Sequence, residues 1–247
     1  MPSLKLTVEY IGTAYKGWQA QPGQPTIQGV LRDVLKMLLR EQVDVSGAAR
    51  TDAGVHAHGQ VACVHLGGPV DRDRLHRSLR AVLPGDIGVR RIETVEEGFH
   101  PRHSATGRVY RYRIIEGDYL SPFERGFAAF CPGLLDVEAM DEAARALLGE
   151  HDFTSFCASG DVSTSRVKRI RTSRVERDPA RPGLVTYTVE ADSFLQYMVR
   201  NIAGTLIEIG RGRRNPGDIP RLLAARDRRL AGPTAPARGL FLMEVLY

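Results

Sequence analysis

Lysine and cysteine are scarce in this chain. Of 34 cationic side chains in 247 residues only four are lysine (Lys5, Lys16, Lys36 and Lys168), and there are three cysteines, Cys63, Cys131 and Cys157. An odd number, wide spacing and no C-x-x-C pair exclude a disulfide framework and a zinc ribbon, and point to a reducing, cytoplasmic setting. Long apolar runs are missing as well. The longest stretch free of Asp, Glu, Lys and Arg, residues 53–70, holds His56, His58, Gln60, His65 and four glycines, so it is no membrane span. No charged-then-apolar leader precedes the first strand. A Walker loop and a dinucleotide fingerprint are both lacking, so nothing calls for a nucleotide cofactor.

What is present fits a globular chain long enough for one large domain or two small ones, with 43% hydrophobic and 26% charged residues. The formal net charge is +5, and arginine supplies 30 of the cations. Arginine is the better fork for phosphate. The balance leans toward a polyanionic partner, with codon bias as the plainer cause.

Leu4, Leu6, Val8 and Tyr10 alternate and predict a half-buried strand. Thr26 can cap a helix whose apolar face is Ile27, Val30, Leu31, Val34, Leu35, Leu38 and Leu39. Short apolar runs follow at residues 43–45 and 61–66. A second helix starts near Asp71, with Leu75, Leu79 and Val82 inward, and stops at Pro84-Gly85 before a strand over residues 87–92. Strand, helix, strand, strand, helix, strand is a ferredoxin-like split unit. The second half predicts a strand at 108–115 and a helix from Asp136 through Leu148. Strands at 167–176 and 184–190 follow, then a helix from Phe194 to Gly210 and a short helix from Asn215-Pro216. A closing strand spans 240–246. The fold class is α+β, in two units of similar type meeting near residue 105 and spanning 1–105 and 106–247. They form one continuous sheet or two tightly joined domains.

The charge is concentrated. Residues 166–181 carry Arg166, Lys168, Arg169, Arg171, Arg174, Arg177 and Arg181 against Glu176 and Asp178, which equals the whole excess of the chain. Arg108, Arg111 and Arg113 alternate with Tyr110 and Tyr112. Cations interleaved with aromatics suit phosphates and stacked bases, and equally a solvated strand face.

The loop Arg50-Thr51-Asp52-Ala53-Gly54-Val55-His56-Ala57-His58-Gly59-Gln60 differs in kind. It is polar and lies between two apolar runs, so its backbone is expected to be held rigidly. Asp52, among basic and small neighbours, can act as base or nucleophile if ionised; alone, such a residue is as readily a turn or helix cap. His56, His58, His65 and Cys63 lack an acidic or thiolate set at ligand spacing, so no metal site is predicted.

Arg50-Thr51-Asp52-Ala53-Gly54-Val55-His56-Ala57 resembles the signature loop of the TruA-type tRNA pseudouridine synthases. Further segments resemble that family in the same order. They are Tyr10-Ile11-Gly12 with Tyr15-Lys16-Gly17-Trp18-Gln19, Leu83-Pro84-Gly85-Asp86-Ile87, Phe99-His100-Pro101-Arg102 and Arg108-Val109-Tyr110-Arg111-Tyr112. Then come His151-Asp152-Phe153-Thr154-Ser155-Phe156, Phe194-Leu195-Gln196-Tyr197-Met198-Val199-Arg200 and Ala235-Pro236-Ala237-Arg238-Gly239-Leu240. Two positions depart from the family pattern. Ala49 stands where glycine usually precedes the loop, and Gln196-Tyr197 stands where two histidines usually precede Met-Val-Arg.

The resemblance implies an isomerase that turns uridine into pseudouridine at positions 38, 39 and 40 of the tRNA anticodon arm, without cofactor or metal. It implies two ferredoxin-like halves sharing a mostly antiparallel mixed sheet around a central basic cleft, and a cytoplasmic homodimer with tRNA as partner. By residue-wise carry-over Asp52 is the catalytic carboxylate. Whether it attacks the sugar C1′, adds to the base or takes the C2′ proton stays open. Arg200 pairs with Asp52, Tyr110 stacks on the flipped uracil, and Arg50 holds a phosphate or fills the vacated space. Two other classes compete: a non-catalytic RNA-binding module with ferredoxin-like sheets, and a hydrolase using Asp52 and His56.

Overall fold

Alternation turns Leu4, Leu6, Val8 and Tyr10 inward, and in the computed structural model they are buried along strand β1, Ser3–Tyr10. The structure describes residues 3–96 and 98–247. The chain divides into two units, Met1–Thr106 with Phe241–Tyr247, and Gly107–Leu240.

In the first unit β1 is followed by α1 (Ile27–Leu39), β2 (Asp44–Gly47), β3 (His56–His65), α2 (Arg72–Val82) and β4 (Ile87–Val95). Thr26 caps α1 by accepting the Gly29 N–H at 3.3 Å, and Asp71 caps α2 by accepting the Arg74 N–H at 3.0 Å. Ile27, Leu31 and Leu35 of α1 and Leu75 and Leu79 of α2 are buried, each stabilising the unit by roughly 1.5–3 kcal/mol. Helix α2 ends where Leu83, the residue before Pro84, is extended. The strands run β4-β1-β3, with β2 on the other edge of β3, and every pair is antiparallel. This is the predicted split βαβ order.

The second unit contains β5 (Gly107–Gly117), β6 (Ala129–Pro132), α3 (Val137–Arg145), β7 (Gly149–Asp152), β8 (Val167–Arg177), β9 (Leu184–Ala191), α4 (Met198–Gly210) and α5 (Asp218–Ala225). Its strands run in the order β5-β9-β8-β7, each neighbouring pair antiparallel, with β6 parallel to the C-terminal end of β5. Helix α3 packs on β8 and on α4, and α4 also packs on β5. Met198, Ile202, Ala203, Leu206 and Ile209 of α4 are buried. Three boundaries move from their predicted places. The third helix stops at Arg145 and the chain turns into β7; α4 starts at Met198 because Tyr197 is left-handed (φ 62°); α5 starts at Asp218.

The last strand, β10 (Leu240–Leu246), returns to the first unit, where Phe241 and Leu242 pair parallel with His56 and Ala57 of β3. The fold is α+β with mostly antiparallel pairing, and five α-helices lie among the described residues. Among the described residues no helix is long and apolar enough to cross a membrane.

Candidate active site

The loop from β2 to β3 is tied down at both ends. Past the last β2 residue, the Ala48 N–H still donates to the Val61 carbonyl at 2.8 Å. One residue further on, the Gln60 side chain takes over from the backbone. Its Oε1 accepts the Ala49 N–H at 3.2 Å and its Nε2 donates to the Ala49 carbonyl at 2.7 Å. The buried amide thus acts as one more rung of the ladder, just past the last backbone bond between β2 and β3. Gln60 Nε2 also reaches the Tyr10 hydroxyl at 3.5 Å, and that hydroxyl shares a 2.7 Å hydrogen bond with Thr51 Oγ1. Tyr10, Thr51 and Gln60 are all buried. Burial raises the Tyr10 pKa above the usual phenol value, so it remains a neutral hydrogen-bonding partner.

Thr51 is held twice more, because its carbonyl accepts the Trp18 N–H at 3.0 Å and Gly17 packs against it. Beyond Asp52 the chain closes a turn, with the Val55 N–H on the Asp52 carbonyl at 3.1 Å and the Gly54 N–H on the Tyr15 carbonyl at 3.3 Å. Tyr15 in turn donates to Asp86 Oδ1 at 2.7 Å. Asp52 therefore sits half-buried between two anchored backbone positions, and Arg50 beside it is exposed. A carboxylate presented this way is fixed in place yet reachable.

Of the histidines that follow, His56 serves the core, whereas His58 and His65 are exposed. His56 is buried, its Nδ1 accepts the Gly12 N–H at 3.1 Å, and its ring stacks on Phe241 at 4.7 Å. Its proton is therefore on Nε2. His58 stacks on the same phenylalanine at 5.5 Å, and His65 Nδ1 is bonded to Ser3 Oγ at 2.8 Å. Among the described residues no three His, Cys, Asp or Glu side chains gather where they could hold a metal.

The other predicted residues lie in the second unit. Tyr110, opposite Val189 on β9, is 7% exposed and meets Phe194 edge to face, with ring centroids 5.0 Å apart. Arg200 is half-buried in the first turn of α4; its Nε donates to the Ala235 carbonyl at 2.8 Å. Tyr112, which shares the strand face of Tyr110, is fully buried and donates to the Pro236 carbonyl at 2.8 Å. The structure thus puts Arg50 and Asp52 in one loop of the first unit, and Tyr110 and Arg200 on two packed elements of the second.

The cationic stretch 166–181 is not an open run of charge. Arg166 pairs with Asp161, Arg169 with Glu150, Arg171 with Glu190, Arg174 with Glu176, Arg177 with Glu116 and Arg181 with Glu124. Apart from Glu176, these partners lie outside the stretch, where no local charge count can register them. By contrast Arg72, Arg74, Arg77 and Arg80 of α2 are exposed and make no ion pair among the described residues.

A sequence profile of the tRNA pseudouridine synthases matches residues 6–104 and 143–247, most of the chain and both units. The chain belongs to the tRNA pseudouridine synthase family. A relative from Myxococcus xanthus, a tRNA pseudouridine synthase A, is 46% identical over all of this chain and 92% of its own length. Proteins of the same name from Lacticaseibacillus casei and Geobacillus kaustophilus are each 42% identical, covering 100% and 99% of this chain and 100% and 94% of theirs. As a tRNA pseudouridine synthase the protein is an isomerase that converts uridine to pseudouridine in tRNA. The sequence marked the segments that hold Tyr10, Gly17, Gln60, Phe194 and Tyr197, but what each of these residues supports is set by partners distant in the chain.

Proposed function

We propose that this tRNA pseudouridine synthase acts on the anticodon stem-loop at positions 38, 39 and 40, with Asp52 as its catalytic carboxylate. The observation that carries the assignment is the anchoring of Thr51 and Val55 on either side of a half-buried Asp52, which holds one carboxylate in a set position without shutting it off. In the reaction the N1–C1′ bond breaks, the base turns, a C5–C1′ bond forms, the C5 proton leaves and N1 takes up a proton, so no water or electron is consumed. A carboxylate serves attack at C1′, addition to the base and removal of the C2′ proton alike, and an amide serves none of them.

Tyr110 offers a ring supported edge-on by Phe194, suited to stack on an unstacked uracil. The family resemblance supports Arg200 as a substrate-site residue, and Arg50, exposed at the loop, takes a phosphate. Support for the cytoplasm comes from three buried free cysteines, and the homodimer follows the family resemblance, testable by sedimentation. The decisive experiment is tritium release from 5-tritiated uridine in unmodified tRNA, using wild type and Asp52→Asn. Wild type is expected to release label, to stop doing so when uridines 38–40 are replaced, and Asp52→Asn to bind tRNA but release nothing. Turnover by a contamination-free Asp52→Asn protein would overturn the role of Asp52, and undiminished release from the substituted tRNA would overturn the target position.

A further inference from the structure

Helix α4 begins unlike the helices before it. Thr26, Asp71 and Asp136 cap α1, α2 and α3 through side-chain oxygens, whereas the cap residue of α4 is Tyr197, whose side chain caps nothing. Its backbone is left-handed, at φ 62° and ψ 2°, a conformation that a bulky L residue adopts at a cost of about 1 kcal/mol. Such strain persists where the surroundings over-determine it, and it gathers at functional sites. The preceding residue is pinned on both sides: the Gln196 N–H donates to Asp161 Oδ2 at 2.7 Å, and its carbonyl accepts the Ala158 N–H at 2.9 Å.

The strained turn places the Tyr197 ring against the Arg200 guanidinium, whose carbon lies 4.9 Å from the ring centroid. A second group grips the same arginine. Ala235 accepts from Arg200 Nε at 2.8 Å and donates its own N–H to the Arg200 carbonyl at 3.1 Å. The segment bearing Ala235 is strapped to α4 by Thr234 Oγ1 on Asn201 Oδ1 at 2.7 Å and by the Gly232 N–H on Thr205 Oγ1 at 2.9 Å. The guanidinium is thus in contact with one ring face and bonded to one carbonyl.

We propose that Tyr197 is a positioning residue for Arg200, its ring and the Ala235 carbonyl together holding the guanidinium in the orientation used in the reaction. The inference rests on the reading of Arg200 as a substrate-site residue. Tyr197 keeps this conformation with its ring partly in solvent. Preorganising an arginine lowers the entropy lost when it engages its target, so the gain falls on turnover and not on tRNA affinity.

The test compares Tyr197→Gly, Tyr197→Phe and Arg200→Ala in single-turnover tritium release, with melting temperature and tRNA binding measured alongside. Glycine accepts the left-handed backbone freely, so Tyr197→Gly removes the ring while relieving the strain. Expected are a roughly 10-fold slower step for Tyr197→Gly, unchanged tRNA affinity, a melting temperature no lower than wild type, and recovery with Tyr197→Phe. Wild-type turnover in Tyr197→Gly beside an inactive Arg200→Ala would overturn the positioning role and leave the reading of Arg200 standing. Slow turnover accompanied by a lowered melting temperature, or by failure of Tyr197→Phe to recover, would overturn it in favour of a folding role. Wild-type turnover in Arg200→Ala would remove Arg200 from the site, and the inference with it.

Discussion

Replacing Gly17 by alanine should disable the loop without touching any polar group in it. Gly17 sits at φ +92°, and a Cβ there would lie 2.6 Å from the Thr51 carbonyl oxygen, 3.1 Å from the Asp52 carbonyl carbon and 3.2 Å from Ala53 N. The first contact is about 0.8 Å inside ordinary van der Waals separation. Nothing flexible is there to yield, since all three atoms are backbone and the Thr51 carbonyl is bonded to the Trp18 N–H at 3.0 Å. The left-handed conformation costs alanine about 1 kcal/mol and overpacking adds roughly 1–3 kcal/mol. A loss on the order of 2–4 kcal/mol lowers the melting temperature by roughly 10 °C in a chain of this size. If the loop yields instead, Asp52 moves by most of an ångström, and turnover falls by about 10²-fold. Gly23→Ala is the matched control, for Gly23 is also left-handed (φ +67°) with nothing within 4 Å of its would-be Cβ; it should lose about 1 kcal/mol and keep full turnover. Calorimetry and single-turnover tritium release on both variants decide the matter. A Gly17→Ala enzyme that melts and turns over like Gly23→Ala would refute the claim that this close approach holds the catalytic loop.

Gln60→Leu should cost roughly 2–4 kcal/mol, since it strips the half-buried Ala49 N–H and the buried Val61 N–H of an acceptor and the Tyr10 hydroxyl of a donor; a denaturant midpoint equal to wild type would count against the extra rung. Tyr110→Ala should weaken engagement of the target base by about 1–3 kcal/mol, whereas Tyr110→Phe should keep tRNA binding and lose most turnover if the hydroxyl takes the C5 proton; wild-type rates in both would make Tyr110 a core residue. The Asp161 carboxyl is held down at about 2: burial pushes its pKa up, but hydrogen bonds from Ser163 and Gln196 and the Arg166 charge outweigh it. Its contribution to stability is thus complete above the ordinary carboxylate range and is lost as pH falls from about 4 to about 2. Acid titrations of wild type and Asp161→Asn should converge across that window, and parallel curves would show the pairing to be idle. Arg169→Gln with Arg171→Gln should flatten the slope of log tRNA affinity against log salt by about one for each phosphate that is no longer neutralised. An unchanged slope would mean that these arginines serve only Glu150 and Glu190.

Local periodicity was enough to place β1, α1, α2 and β4. Leu4 to Tyr10, Ile27 to Leu35 and Leu75 with Leu79 bury themselves by spacing alone, and the Thr26 and Asp71 caps lie within three residues of their targets. The Asp52 loop was legible for a related reason, because its residues are contiguous and their order is distinctive. Other features rest on partners far apart in the chain. Phe241 joins β3 at His56, at the opposite end of the sequence, so the closing strand's return to the first unit has no local signal. Gln60 looks like any polar residue in a strand until the end of β2 leaves Ala49 without a rung. The basic stretch reads as open charge until other segments bring carboxylates to it, and Tyr197 reads as part of a helix's first turn until Asp161 pins its neighbour. Sequence patterns register interactions within a turn or two of chain, whereas the chain ends, unfilled hydrogen bonds and charge partners of a fold are settled only when distant segments meet.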